Sequence, residues 1–303
     1  MASAAQFPDE QGEDGSFERQ EDAFREVLTG RGEPGRYHLY VSLACPWAHR
    51  TLIVRHLLGL EEEVSASVVD PVRDERGWAF TEGDGHGPDP VNGFHFLSEA
   101  YQASHARFHG RVTVPVLWDK KEKRIVNNSE DDICLMFQRA FAGDRAPDLF
   151  PSDIAAEQAE LSAFLYERVN NGVYEAGFAS NQRAYEPPVR RLFEALDELD
   201  ARLATRRYLF GDRMVESDWR LFCTLVRFDP VYVGHFKCNL KRIVDYPNLS
   251  GYLRDLYQQP GIAETVNFDH IKRHYYMTHL DINPTGIVPL GPIQDLMAPH
   301  GRK

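Results

Sequence analysis

The alternation of apolar and polar positions predicts where the folded part of the chain begins. Apolar residues alternate from Tyr37 onward, and after Pro46 they recur at every third or fourth position until Gly59. The first spacing is typical of a strand and the second of an amphipathic helix, which proline often starts and glycine often ends. A second alternating stretch, Val64 to Val68, predicts another strand. The pattern therefore predicts strand, helix and strand in succession.

The next stretch, residues 76–110, contains many glycine, proline and histidine residues. Its apolar positions have helical spacing only between Leu97 and Arg107. Such composition is typical of irregular chain and not of a sheet or a long helix. We therefore predict an insertion over residues 76–110 that carries one short helix.

Two apolar runs, Val112–Trp118 and Arg124–Val126, flank a polar turn and predict a β-hairpin. Ser129 is followed three positions later by Asp132, a spacing that predicts a capping box at the start of another helix. Strand, helix, strand, hairpin and helix is the order of a thioredoxin-like domain. We expect this α/β domain to span residues 37–144.

Strand patterns almost disappear after the proline-rich stretch that ends at Pro151, and helical spacing dominates. We therefore expect an all-α domain over residues 150–303. The acidic and polar residues 1–36 precede the first strand and carry only a short apolar pattern. They predict an N-terminal extension that packs on a neighbouring part of the molecule.

The composition excludes several classes of partner. Asp and Glu number 46 against 34 Lys and Arg, which gives a net charge of −12, and no basic run stands out, so we expect no nucleic-acid partner. No stretch is apolar enough to span a membrane, and the amino terminus lacks an export signal, so we expect a cytoplasmic protein without a membrane partner. The four cysteines are widely spaced in a long chain and are expected to be thiols.

Cys45 is the candidate for chemistry. It lies between the first strand and Pro46, at the start of a helix, where unpaired backbone N–H groups and the helix dipole favour a thiolate. The fourth position of the motif is Ala48, so no second cysteine follows to resolve a mixed disulfide, and an external thiol is needed. The alternative, that Cys45 is a small buried core residue, fits this setting less well.

Pro115 lies within a predicted strand, where proline removes a hydrogen-bond donor from the sheet. A cis Val114–Pro115 peptide bond explains its presence. In thioredoxin-like folds such a proline faces the catalytic cysteine, and the backbone before it pairs with a peptide-like substrate. We therefore expect the backbone of Val114 to bind substrate.

The chain resembles one family, the glutathionyl-hydroquinone reductases, also called xi-class glutathione transferases. The resemblance runs from about Tyr37 to the end of the chain. The motifs that carry it are Ser42–Arg50, Gly77-Trp78, Arg111–Leu117, Asn170–Tyr174, Arg227–Lys237 and His270–Tyr276.

The resemblance implies reduction of a glutathionyl-hydroquinone by a second glutathione, through a Cys45–glutathione mixed disulfide, with release of glutathione disulfide. Carbon is a poor leaving group unless the ring is protonated, so an acid is required. Tyr174 matches the family's proton donor or acceptor, and Tyr232 and Tyr275 match tyrosines credited with stabilising the thiolate. For any single tyrosine, core packing with a paired hydroxyl is the ordinary alternative.

The resemblance also implies the binding partners: glutathione as co-substrate, aromatic hydroquinone conjugates as substrates, no permanently bound cofactor, and a homodimer. It assigns the glutathione contacts to Trp78, Arg111, Val112, Thr113, Val114, Ser129 and Glu130. Ser129-Glu130 reverses the order common in the family, which leaves open which side chain contacts the γ-glutamyl group. Ser129 can also serve as a helix cap.

Other functions are compatible with parts of the pattern. They are a general cysteine-type transferase with thioltransferase or dehydroascorbate reductase activity, a reductive dehalogenase, and a non-enzymatic glutathione-binding module. The three tyrosines favour the hydroquinone reaction, because disulfide exchange needs no acid for a carbon leaving group. No histidine or cysteine pair has a third ligand at matching spacing, so we expect no metal.

Overall fold

A computed structural model describes residues 10–303, so the first nine residues of the predicted extension lie outside the described part. The chain forms two compact units. The first contains Gln20–Pro147 and Thr265–Gly286, and the second contains residues 10–19, Asp148–Glu264 and Ile287–Lys303.

The first unit is built on a four-stranded mixed sheet. Its strands are β1 (Tyr37–Val41), β2 (Val64–Val68), β3 (Val116–Asp119) and β4 (Arg124–Asn127), in the order β2-β1-β3-β4. β1 pairs in parallel with β2 and antiparallel with β3, which pairs antiparallel with β4. All five residues of β1 are buried, as expected for an inner strand.

The helices of the first half of the chain are α1 (Pro46–Leu57), α2 (Leu97–Ser104) and α3 (Glu130–Met136). α2 is the single helix of the predicted insertion, and α3 continues as a π-helical turn over Phe137–Phe141. α1 packs on α3. The predicted α/β arrangement with a thioredoxin-like order of elements is confirmed.

The second unit is built from helices. They are α4 (Ala155–Leu165), α5 (Gly172–Gly177), α6 (Gln182–Leu203), α7 (Glu216–Arg227) and α8 (Leu249–Tyr257). Every residue of α7 is buried, which makes it the central helix of this unit. Its Asp218 accepts hydrogen bonds from the backbone N–H groups of Leu209 and Val215. Burial raises the pKa of Asp218 to about 6.

The last helix, α9 (Phe268–Thr278), belongs to the first unit although it follows the helical region in sequence. Two contacts with the insertion explain this: the His274 ring stacks on Trp78, and a ring nitrogen of His270 hydrogen-bonds the carbonyl oxygen of Asp84. The extension is also divided, because residues 20–36 lie in the first unit and residues 10–19 in the second. The boundaries of the compact units thus differ from the predicted domain boundaries at α9 and within the extension.

Within residues 10–303, none of the helices is both long enough and apolar enough to cross a membrane.

Candidate active site

Cys45 occupies the position directly before α1, with an extended backbone (φ −75°, ψ 121°) and Pro46 as the first helical residue. Its thiol is partly exposed and lies 3.6 Å from the carbonyl oxygen of Val114. The other three cysteines are buried, and burial raises the pKa of the Cys238 thiol. Among the cysteines, the geometry therefore singles out Cys45 as the accessible thiol at a helix start.

The backbone opposite the thiol has the predicted conformation. The Val114–Pro115 peptide bond is cis, which confirms the prediction from the position of the proline. β3 begins at Val116, directly after this bond, and not at Val112 as the apolar run predicted. The segment before the proline is thus irregular chain facing the start of α1.

This irregular segment, residues 111–114, is held by neighbouring elements of the first unit. The Tyr101 hydroxyl donates to the carbonyl oxygen of Thr113 at 2.9 Å, and the amide of Asn128 donates to the Thr113 hydroxyl at 3.1 Å. Arg111 donates to the carbonyl oxygen of Gln20 at 3.5 Å. Val112 is partly exposed between these anchored residues. The predicted glutathione-contacting backbone is therefore fixed in place by α2 and the extension.

Ser129 directly precedes α3, but its side chain makes no capping hydrogen bond, so the predicted capping box is wrong. Asp132, the expected partner, instead forms an ion pair with Arg25 and accepts a hydrogen bond from the amide of Asn127. The buried Ser129 hydroxyl is therefore not used as a helix cap.

Glu130 forms an ion pair with Arg50 of α1 at 3.1 Å, and Arg50 also pairs with Asp131. Arg50 is 2% exposed and Glu130 is 13% exposed, so the pair lies almost entirely inside the protein. Burial and the neighbouring Asp131 carboxylate raise the pKa of Glu130 to about 7, although the Arg50 guanidinium acts in the opposite direction. This pair links the helix that starts at Cys45 to the predicted γ-glutamyl site.

Trp78 is 4% exposed, and the side chains of a histidine and an arginine lie against its ring. Its ring stacks on His274, with 5.0 Å between ring centroids, and the Arg73 guanidinium lies 5.3 Å from its centroid. The buried indole N–H of Trp78 has no hydrogen-bond partner within residues 10–303. An unpaired buried donor is costly, and a ligand acceptor at this position would remove that cost.

The three predicted tyrosines are divided between the two units. Tyr275 is on α9 of the first unit, is 1% exposed, and packs against the rings of His274 and His279. Tyr174 and Tyr232 both belong to the second unit, where their ring centroids are 6.2 Å apart. The structure thus brings together two of the three tyrosines within one unit.

Several residues at these sites escaped the sequence analysis. Arg50 lies within the Cys45 motif, but nothing in the pattern indicated that it is buried against Glu130. Arg19, from the extension, lies with its guanidinium 4.8 Å from the centroid of the Tyr174 ring. His274 lies in the His270–Tyr276 motif, but nothing in the pattern indicated that its ring stacks on Trp78. In each case the partner lies far away in sequence.

In the part of the chain that the structure describes, no group of three or more histidine, cysteine or acidic side chains is arranged to hold a metal ion.

Comparison with protein families gives matches in both halves of the chain. Residues 44–140 match the glutathione S-transferase N-terminal domain, and residues 182–255 match the glutathione S-transferase C-terminal domain. The fold and the helix-start cysteine thus define a glutathione transferase.

Two similar proteins identify the family within this class. The glutathionyl-hydroquinone reductase YqjG of Escherichia coli is 52% identical over 95% of this chain and 92% of its own length. The glutathionyl-hydroquinone reductase PcpF of Sphingobium chlorophenolicum is 50% identical over 93% of this chain and 91% of its own. The chain belongs to this family, the xi class of glutathione transferases, and is an enzyme.

Solved structures lead to the same family. The glutathione-bound structure of YqjG covers 92% of this chain and 96% of its own, with a TM-score of 0.89 and 52% identity. The xi glutathione transferase of Phanerochaete chrysosporium covers 95% and 96%, with a TM-score of 0.92 and 46% identity. The predicted two-part glutathione transferase fold is therefore confirmed.

Proposed function

We propose that the protein reduces glutathionyl-hydroquinones to hydroquinones, with glutathione as the reductant. The observation that carries this proposal is the partly exposed Cys45 thiol at the start of α1, 3.6 Å from the carbonyl oxygen of Val114. The names of the relatives YqjG and PcpF, both glutathionyl-hydroquinone reductases, support the choice of substrate. Because the family consists of enzymes, the non-enzymatic alternative is set aside.

In the first half of the proposed reaction, the Cys45 thiolate attacks the glutathione sulfur of the conjugate. A sulfur–sulfur bond forms as the sulfur–carbon bond breaks, and the electron pair of the broken bond passes to the aromatic ring. A proton must then reach the ring carbon to complete the hydroquinone. We assign this proton to the Tyr174 hydroxyl, in line with the family resemblance.

In the second half, the thiolate of another glutathione attacks the mixed disulfide. Glutathione disulfide leaves, and Cys45 returns to the thiolate. Ala48 stands where many redox motifs have a second cysteine, so the resolving thiol is the external glutathione. Tyr232 and Tyr275 are assigned to stabilising the thiolate, because hydroxyl donors favour the charged form of a sulfur acceptor.

Glutathione is an anionic tripeptide, and the proposed contacts suit its parts. The backbone of Val114 pairs with the cysteinyl part, with Val112 and Thr113 on the same anchored segment. Ser129 and Glu130 contact the γ-glutamyl group, whose ammonium matches the Glu130 carboxylate. Trp78 and Arg111 offer an indole N–H and a guanidinium to glutathione oxygens.

The proposal is tested by mixing the protein with glutathionyl-menadiol and excess glutathione and following the release of menadiol. The wild-type protein is expected to release menadiol and to form one glutathione disulfide for each menadiol. The Cys45→Ala variant is expected to lose the activity. Turnover that is the same in wild type and variant would overturn Cys45 as the nucleophile.

A further inference from the structure

Arg19 of the N-terminal extension lies against the ring of Tyr174. The carbon at the centre of the Arg19 guanidinium is 4.8 Å from the centroid of the Tyr174 ring, within the range of a cation–π interaction. We propose that Arg19 is a positioning residue that stabilises the negative charge developing on Tyr174 as this tyrosine gives up its proton. The inference rests on the proposed function, in which Tyr174 is the acid.

Arg19 is held in place by the start of the helix that carries Tyr174. Its Nε–H donates to the side-chain oxygen of Asn171 at 2.8 Å, and the backbone carbonyl of Asn171 accepts from the N–H of Tyr174, also at 2.8 Å. The Asn171 amide in turn donates to Glu175, which pairs with Arg191 at 2.8 Å. The guanidinium and the Tyr174 backbone are therefore positioned by the same residue.

The surroundings of Tyr174 make a nearby cation effective. Tyr174 is 8% exposed, and the rings of Phe178, Tyr232 and Phe236 lie within 6.2 Å of its ring, centroid to centroid. Apolar neighbours leave little water to screen a charge, so a fixed cation acts more strongly here than at the surface. When a phenol loses its proton, the ring and oxygen become more negative, and their attraction to the guanidinium increases.

The segment that carries Arg19 is itself packed beside Tyr174. Phe17 is 6% exposed, and its ring lies 5.3 Å from that of Phe178 and 6.5 Å from that of Tyr174, centroid to centroid. Residues 10–19 therefore complete the surroundings of the proposed acid within the second unit. This gives a chemical role to a part of the chain that the sequence indicated only as a packed extension.

Three variants separate charge from packing. Arg19→Gln removes the charge but keeps an amide donor for Asn171, and Arg19→Lys keeps the charge. Phe17→Leu removes the ring that lies 5.3 Å from the Arg19 guanidinium but keeps the charge of Arg19 and its hydrogen bond to Asn171. Each is assayed for kcat with glutathionyl-menadiol and for disulfide exchange with a glutathione mixed disulfide. Disulfide exchange expels a thiolate and needs no acid, so it also reports whether the variant is folded.

We expect Arg19→Gln to lower kcat for glutathionyl-menadiol about tenfold, which corresponds to about 1.4 kcal/mol of transition-state stabilisation. Arg19→Lys and Phe17→Leu should retain kcat within roughly threefold of wild type. All three should keep wild-type disulfide exchange.

Three results would overturn the inference: unchanged kcat in Arg19→Gln, equal losses in Arg19→Gln and Arg19→Lys, or equal losses in both reactions. A wild-type protein that exchanges disulfides but does not reduce glutathionyl-menadiol would instead refute the proposed function, and this inference with it. The two failures are distinguishable because only the second involves an inactive wild type.

Discussion

The thiol of Cys45 lies 3.6 Å from the carbonyl oxygen of Val114, the residue whose bond to Pro115 is cis. This relationship sets a partly exposed thiol at a helix start beside backbone that takes no part in the sheet, because β3 begins only at Val116. A peptide-like ligand that pairs with this backbone would present its sulfur to the thiol. Substitutions of these residues and of their neighbours test the arrangement.

Replacing Tyr174 by phenylalanine should affect the two reactions unequally. The variant keeps the packing of the ring against Phe178 and Phe236 but loses the hydroxyl. We expect kcat for glutathionyl-menadiol to fall roughly 10²-fold or more, as for loss of a general acid, and disulfide exchange to change little. Both rates are measured under the same glutathione concentration. Equal losses in the two assays would rule out Tyr174 as the acid.

Replacing Trp78 by phenylalanine should weaken glutathione binding with little loss of stability. The indole N–H is buried without a partner in the described chain, so its removal costs the folded protein little. If the N–H donates to an anionic group of glutathione, its loss should raise Kd roughly tenfold, measured by calorimetry.

Trp118→Phe is the matched control for Trp78→Phe. Trp118 is also a buried tryptophan whose indole N–H has no partner within residues 10–303, but it lies on β3 among core residues. The control should leave the Kd for glutathione unchanged. A similar Kd change in both variants would show that Trp78 acts on the fold and does not contact glutathione.

Arg50→Met should destabilise the protein at alkaline pH, where Glu130 is charged. Arg50 is 2% exposed and pairs with Glu130 inside the first unit, so its removal leaves a nearly buried carboxylate without its cation. Because Glu130 has a pKa of about 7, it can take up a proton when the cation is lost, so the cost in unfolding free energy should be small near pH 6 and reach about 3 kcal/mol at pH 9. Asp131→Asn serves as control, because Asp131 is 51% exposed and its loss should cost at most about 1 kcal/mol. Both variants are compared with wild type by denaturant unfolding. Equally small losses of unfolding free energy in Arg50→Met and Asp131→Asn would contradict a structural role for the buried pair.

The raised pKa of Glu130, about 7 against a usual value of 4.5, makes stability depend on pH. Since the folded state binds this proton more tightly than the unfolded state, the contribution is fully present below pH 4.5 and is lost as pH rises through about 7. Between pH 5 and 8, the unfolding free energy of the wild type should therefore fall by on the order of 2–3 kcal/mol more than that of Glu130→Gln. Unfolding free energies that change equally with pH in the two proteins would contradict this prediction.

Features set by local chemistry were predictable from the sequence. Pro46 begins α1 because its ring suits the first helical turn, and a proline within the run that leads into β3 indicated the cis bond at Val114. Alternating residues in β1 and β2 and the polar turn between β3 and β4 predicted their strands within a few residues. These signals depend on neighbours in the chain and not on the rest of the fold.

Features set by distant partners were not predictable. The spacing of Ser129 and Asp132 indicated a cap, but Asp132 pairs with Arg25, which is 107 positions away. Likewise, α9 joins the first unit through contacts of His274 with Trp78, and no local pattern encodes such a contact. Arg19 could be placed on Tyr174 only when the path of the extension was known.

Intact-protein mass spectrometry under single-turnover conditions decides whether Cys45 carries the glutathionyl group. Wild-type protein is mixed with an equal amount of glutathionyl-menadiol in the absence of glutathione, and then glutathione is added. We expect one glutathionyl group on the protein, mapped to Cys45 by peptide analysis, together with one menadiol, and release of the group as glutathione disulfide afterwards. Menadiol release without protein-bound glutathione, or a glutathionyl group on another cysteine, would contradict the proposed mechanism.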